Sequence, residues 1–220
     1  MQSGGEDVST RYHIAETFTS IQGEGVNAGK PAHFIRLQGC NLNCPWCDTP
    51  EAKGKSMAWG EWANAKWLVD GIPPHIRLVV LTGGEPALQD LACLVSMLHG
   101  RGKTVAIETN GTCAIPVREN CELDWVCVSP KLGCLGGAGL SEATLRKADE
   151  LKFVIGDVGD LQRMDAWLQS QAASIPAKAA LLLQPMSRED IATSLCVKEV
   201  ERRGWPWQIS VQLHRVIGVR

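Results

Sequence analysis

No stretch of the 220 residues approaches the roughly 18 consecutive apolar positions that a membrane-spanning helix needs. The opening "MQSGGEDVST" has neither a basic head nor an apolar signal core. No membrane partner is therefore expected, and the cytoplasm is the expected location. Charge of one sign is also scarce: 22 Lys and Arg against 24 Asp and Glu leave a formal net charge of -2. That supplies no broad cationic field for gripping nucleic acid, so nucleic acid is not an expected partner. Low-complexity linkers and internal repeats are missing too, and with 45% hydrophobic and 21% charged residues the composition is that of an ordinary globular chain. One domain over 1–220 is expected, with a polar leader over about 1–11. Cysteine, by contrast, is present nine times. An odd number at irregular spacing argues against a secreted disulfide framework and for reduced thiols.

Short β-branched runs at 33–39, 77–82, 104–109, 124–129, 151–156 and 179–184 read as strands. Helical patterns at 57–70, 87–100, 141–149, 159–172 and 188–203 fill most of the intervals, the spacing of parallel strands joined by right-handed crossovers. The fold class is α/β, an incomplete parallel (βα)6-type barrel. In such a fold chemistry gathers at the C-terminal ends of the strands. "TGGEP", "ETNGT", "SPK" and "QPMS" stand at four of those ends. Trp59, Trp62 and Trp67 on the first helical pattern read as core packing, and Cys93, Cys113, Cys121, Cys127, Cys134 and Cys196 read as small apolar packing residues.

The remaining thiols, Cys40, Cys44 and Cys47 in "CNLNCPWCDT", lie on the loop after the first parallel strand. A closed zinc site wants four ligands, and neither a fourth cysteine nor a histidine lies close by in sequence. A four-iron cluster held by three thiolates keeps one iron open to a small molecule. The spacing C-x-x-x-C-x-x-C, with Trp46 before the last cysteine, resembles the signature of radical S-adenosylmethionine enzymes. That resemblance implies a 4Fe-4S cluster on Cys40, Cys44 and Cys47, and S-adenosylmethionine as the source of a hydrogen-abstracting 5'-deoxyadenosyl radical. It places Gly83, Gly84 and Glu85 of "TGGEP" at the methionine amino group, where glycines permit close approach and a carboxylate accepts from an ammonium. Pro86 also suits a helix start there. Glu108 and Asn110 are placed at ribose hydroxyls, and Ser129, Lys131, Gln184 and Met186 at further cofactor contacts.

"FTSIQGEGVNAGKPAHFIRLQGCNLNCPWCDT", "LQPMS" and "SVQLHRVIGVR" extend the likeness over nearly the whole chain, which resembles the 7-carboxy-7-deazaguanine synthases within that superfamily. The resemblance implies conversion of 6-carboxy-5,6,7,8-tetrahydropterin into 7-carboxy-7-deazaguanine with loss of ammonia, on the route to queuosine. It implies hydrogen abstraction at C6 and ring contraction. It places Ile21, Gln22, Gly23, Glu24, Arg36, Thr82 and His214 at the substrate, with Arg36 suited to a carboxylate and "QGEG" to the pterin edge. Thr49 is placed at a Mg2+ ion and Asp48 stands beside it. Relatives close the site with their C-terminal segment, here about 206–220, where Arg220 holds the position of a substrate-binding carboxylate. An electron donor such as flavodoxin or ferredoxin and a homodimer complete the expectation. Two other readings share the cysteines: an activating enzyme that places a radical on a partner protein, and a zinc-stabilised binding module without catalysis.

Overall fold

The computed structural model describes residues 10–54, 61–117, 122–136, 139–188 and 190–220. Trp59, Cys121, the start of the first expected helix and nearly all of the leader lie outside them. In chain order the elements are β1 (Arg11–Ile21), β2 (Pro31–Leu37), β3 (Glu61–Asn64), α1 (Ala65–Asp70), β4 (Leu78–Gly83), α2 (Ala92–Gly100) and β5 (Thr104–Thr109). They continue with β6 (Trp125–Val128), α3 (Glu142–Leu145), β7 (Glu150–Ile155), α4 (Val158–Gln171), β8 (Ala180–Pro185), α5 (Asp190–Arg203), β9 (Trp207–Ile209) and α6 (Leu213–Ile217). The strands form one sheet in the order β3-β1-β2-β4-β5-β6-β7-β8-β9. β1 runs antiparallel to β2 and β3, and every pair from β2 to β9 is parallel. The result is an open, incomplete barrel, as expected. Among the described residues no helix is long and apolar enough to cross a membrane.

Strand alternation sorts the side chains. Ile35, Leu37, Val79, Leu81, Val105, Ile107, Leu151 and Phe153 join the helices in the main core. The other face begins with a small apolar floor, Ala32, Phe34, Leu78, Val80 and Ala106. Two residues further along the same strands it turns polar, with Arg36, Thr82 and Glu108 facing a cavity. Parallel register holds these side chains level, since Arg36 pairs with Thr82 and, one residue earlier, Leu81 pairs with Ile107.

Three helical expectations need correction. Over 57–70 the described part is strand first: Asn64 caps α1 by accepting from the Trp67 amide, and residues 61–64 pair with β1. Alternation on β3 sends Ala63 inward and Trp62 outward, where it stacks on His13 at 5.1 Å. α1 buries Ala65, Leu68 and Val69 and leaves Trp67 on its outer side. Trp62 and Trp67 are 47% and 58% exposed, so they are not core residues. The pattern at 87–100 splits into a 3-10 turn at Pro86–Leu88 and α2, because Gln89 turns away to bond His13 and Gln38 backbone groups. That at 141–149 contracts to the single turn of α3. β1, β3 and β9 were not expected.

Candidate active site

A cavity of about 480 Å³ opens at the C-terminal ends of β2 and β4 to β8. Its cysteine loop is anchored by the "TGGEP" turn. The Gly84 amide donates to the Leu37 carbonyl at 3.1 Å, the Glu85 amide to Gly39 at 2.7 Å, and the Gly39 amide to Ala52 at 2.9 Å. A Cβ on Gly84 would stand 2.2 Å from the Gly39 oxygen, and one on Gly83, whose φ is +144°, would stand 2.1 Å from that of Leu37. Close backbone approach thus requires the glycines, and the backbone approached is that of the cysteine loop itself. Glu85 lies behind the wall: its carboxylate accepts from Thr109 Oγ1 at 2.6 Å, the Asn110 amide at 2.6 Å and the Ala87 amide at 3.0 Å. Burial pushes its carboxyl up, against those three bonds.

Cys40, Cys44 and Cys47 all face the cavity. Burial raises the Cys40 thiol, and burial with the neighbouring Cys134 pushes Cys44 up to about 12. Iron is bound by thiolate, so a cluster held here would displace the protons that burial favours on Cys40 and Cys44. The donor set fits a cluster held by three cysteines. Lys53 Nζ donates to the Cys44 carbonyl at 2.5 Å, and Lys131 Nζ stands 5.5 Å from the Trp46 ring centre. Asn110 Nδ2 reaches Asn41 Oδ1 at 3.0 Å, tying the end of β5 to the same loop. Two scattered cysteines belong here rather than to the core. Cys134 neighbours Cys44, and Cys113 Sγ lies 3.9 Å from Asn41 Nδ2. Cys127 and Cys196 are buried, and Cys93 packs on the core.

The opposite side of the cavity joins residues from both ends of the numbering. Gln22 Nε2 donates to Glu108 Oε1 at 2.8 Å, and Thr82 Oγ1 lies 3.4 Å from Glu108 Oε2. Glu24 is paired with Lys152 and accepts from Gln212 Nε2 at 2.9 Å. Burial would raise the Glu24 carboxyl, but the Lys152 charge and the bonds from Lys152 and Gln212 bring it down to about 2. Gly23 presses against the His214 ring and bonds the Leu213 amide. Arg36 Nε meets Glu16 at 2.8 Å, and Arg220 pairs with the same carboxylate while its guanidinium sits 4.9 Å from the Phe18 ring centre. The Arg220 main-chain oxygen accepts from Ser20 at 2.7 Å. Thr49 Oγ1 lies 3.9 Å from Cys47 Sγ, and Gln212 bridges onward to Asp48 at 3.2 Å.

Every residue proposed from sequence for cluster, magnesium, cofactor or substrate lines this one cavity except Glu85. Ile21 and Met186 are among its lining residues, Lys131 donates to Ser129 at 2.5 Å, and Gln184 accepts from Ser210 at 3.1 Å. Lys152 and Gln212 were missed. A lysine inside the apolar run "ELKFVI" is the signal that marks the first, since a parallel strand covered on both faces has no place for a free cation.

A sequence model of the radical SAM superfamily matches residues 34–130. The 7-carboxy-7-deazaguanine synthase of Escherichia coli (strain K12) is 37% identical over 228 residues, spanning 95% of this chain and 99% of that one. The chain belongs to the 7-carboxy-7-deazaguanine synthase family. Another member, from Bradyrhizobium diazoefficiens, is 34% identical over 238 residues, covering 95% of this chain and 99% of its own. The crystal structure of QueE from Escherichia coli superimposes with a TM-score of 0.81 at 34% identity, covering 97% of this chain and all of that one. Membership makes the chain a radical SAM enzyme, with the cluster and S-adenosylmethionine that the superfamily's name and thiols imply.

Proposed function

We propose that the chain converts 6-carboxy-5,6,7,8-tetrahydropterin into 7-carboxy-7-deazaguanine with release of ammonia, acting as a single domain. The observation that supports this most is one cavity that holds the three cysteines on one side and "QGEG", Arg36 and His214 on the other. When bound, cluster and S-adenosylmethionine supply a reductively generated, hydrogen-abstracting carbon radical. The residues of the chain supply position. Glu24, ionised at neutral pH, accepts N–H donors of the pterin edge, and Gln22 offers an amide beside it. Arg36 turns a planar fork toward a substrate carboxylate, with Glu16 holding that fork meanwhile. Gly83, Gly84, Glu108, Asn110, Ser129, Lys131, Gln184 and Met186 frame the S-adenosylmethionine side, and Glu85 acts through Asn110. Thr49 would hold a Mg2+ ion through its hydroxyl oxygen. A flavodoxin or ferredoxin would supply the electron that the chemistry needs, and the enzyme works as a cytoplasmic homodimer.

An anaerobic assay of iron-reconstituted protein with dithionite, S-adenosylmethionine, magnesium and the pterin tests the reading. Mass spectrometry is expected to show 7-carboxy-7-deazaguanine and 5'-deoxyadenosine together. 5'-Deoxyadenosine without the deazapurine would sink the substrate assignment. Sedimentation at micromolar concentration checks the dimer, and a pure monomer there refutes it.

A further inference from the structure

One buried charge in the cavity is not used by the chemistry above. Lys152 points from the middle of β7 to the inner face of the sheet, its side chain only 5% exposed, and it pairs with Glu24, itself 14% exposed. Withdrawing two charges from water is costly, and a well-packed apolar pair of similar volume is often as stable or more so. Stability is therefore a poor reason for this pair to sit in the barrel, and its address is informative.

Glu24 projects from a loop fixed at several points. Glu150 accepts from the Val26 amide at 2.8 Å, Ser210 from the Gly25 amide at 3.1 Å, and the Leu213 amide donates to Gly23 at 2.8 Å. A Cβ on Gly25 would stand 2.3 Å from a Glu150 oxygen, so the loop rests directly on β7. The groups facing the Glu24 carboxylate are Lys152 from β7, Lys131 after β6, and Gln212 and His214 from the C-terminal segment. Lys152 takes one carboxylate oxygen and Gln212 the other. Each oxygen has two acceptor sites, so one remains on each. Two parallel acceptors match the two adjacent N–H donors, exocyclic amine and ring lactam N–H, on the edge of a 2-amino-4-oxo heterocycle. Glu108 also interacts electrostatically with Lys152 and is held by Gln22, so a single ammonium serves two cavity carboxylates. Remove that ammonium, and Glu24 is a buried anion that has lost its ion-pair partner, with Lys131 the remaining lysine facing it.

We propose that Lys152 is the positioning residue of the substrate side, holding the Glu24 carboxylate in the orientation that reads the donor edge of the pterin. The proposal rests on the substrate reading given above. It is tested by steady-state kinetics on the cluster-loaded full chain with K152M, K152R, E24Q and the double variant K152M/E24Q. K152M is expected to raise the pterin KM at least about tenfold more than the S-adenosylmethionine KM, the usual consequence of stranding one partner of a buried charge pair. K152R, which keeps the charge, is expected to recover most of that loss. The double variant is expected to be no worse than the poorer single one, because both changes remove the same interaction. Should K152M fail to hold its cluster, K152Q removes the charge with less change of polarity and is read the same way. A pterin KM within about twofold of the parent in the charge-removing variant, or losses that multiply in the double variant, overturns the positioning role. A parent protein that cleaves S-adenosylmethionine and never transforms the pterin overturns the substrate reading, and this proposal with it. A parent that turns the pterin over while the charge-removing variant is indifferent overturns the positioning role alone.

Discussion

Glu85 accepts three hydrogen bonds behind the cavity wall, which makes it a brace between the ends of β4 and β5. Glu85→Gln replaces one acceptor oxygen by a donor amide and leaves an N–H or hydroxyl donor without its partner. Loss of about 1–3 kcal/mol is expected, measured by urea unfolding. Glu24 offers a test by pH. Its carboxyl is lowered from the ordinary 4.5 to about 2, so its contribution to stability is fully present above pH 4.5 and is lost as pH falls to about 2. Unfolding free energy measured across that window should fall with acid less steeply in Glu24→Gln than in the parent. The letters of "TGGEP" and "QGEG" were legible because glycine, carboxylate and amide are distinctive chemistries at a strand end. Direction was not legible. Whether Glu85 faces a ligand or a neighbouring strand depends on Thr109 and Asn110, two dozen residues away.

At the level of elements, six of the seven parallel strands were readable because β-branched runs covered on both faces are nearly continuous in apolar residues. β1 escaped because "RYHIAETFTSI" carries Glu16, Thr17, Thr19 and Ser20 and so lacks the continuous apolar run of the strands that were readable. β3 escaped because four residues before a capped helix look like its first turn, and the tryptophans then counted toward the wrong face. The glycine turn and cysteine loop act as one element. Gly84→Ala would drive a Cβ into the Gly39 carbonyl, and backbone on both sides leaves little room to yield. Iron and sulfide per chain after reconstitution are expected to fall by at least half in this variant, whereas the same change at Gly100, with nothing within 4 Å of its added Cβ, should leave them near the parent.

For the whole molecule, the site is shared between two ends of the sequence. Residues 207–220 contribute Ser210, Gln212, His214 and Arg220 to groups on β1 and the loop after it. Removing residues 213–220 cuts the Leu213–Gly23 and Ser20–Arg220 bonds while leaving the main core, which draws on residues up to 207, in place. The pterin KM is expected to rise at least about tenfold, with a melting temperature only a few degrees lower, since one exposed turn is lost. Kinetics beside a thermal melt check both halves of this statement.

The contact between Ser20 and Arg220 spans 200 residues and that between Glu24 and Gln212 spans 188. The bonds that join the cysteine loop to the glycine turn and the end of β5, by contrast, lie between residues 37 and 112, about the first half of the chain. During synthesis on the ribosome the cysteine loop therefore has its glycine clamp and its β5 partners before the "QGEG" loop has any of those on β9 and α6. Closing so long a loop comes late and slowly in folding. A nascent chain is thus equipped to receive iron before it is equipped to recognise a pterin, and the two capacities arise in that order in time.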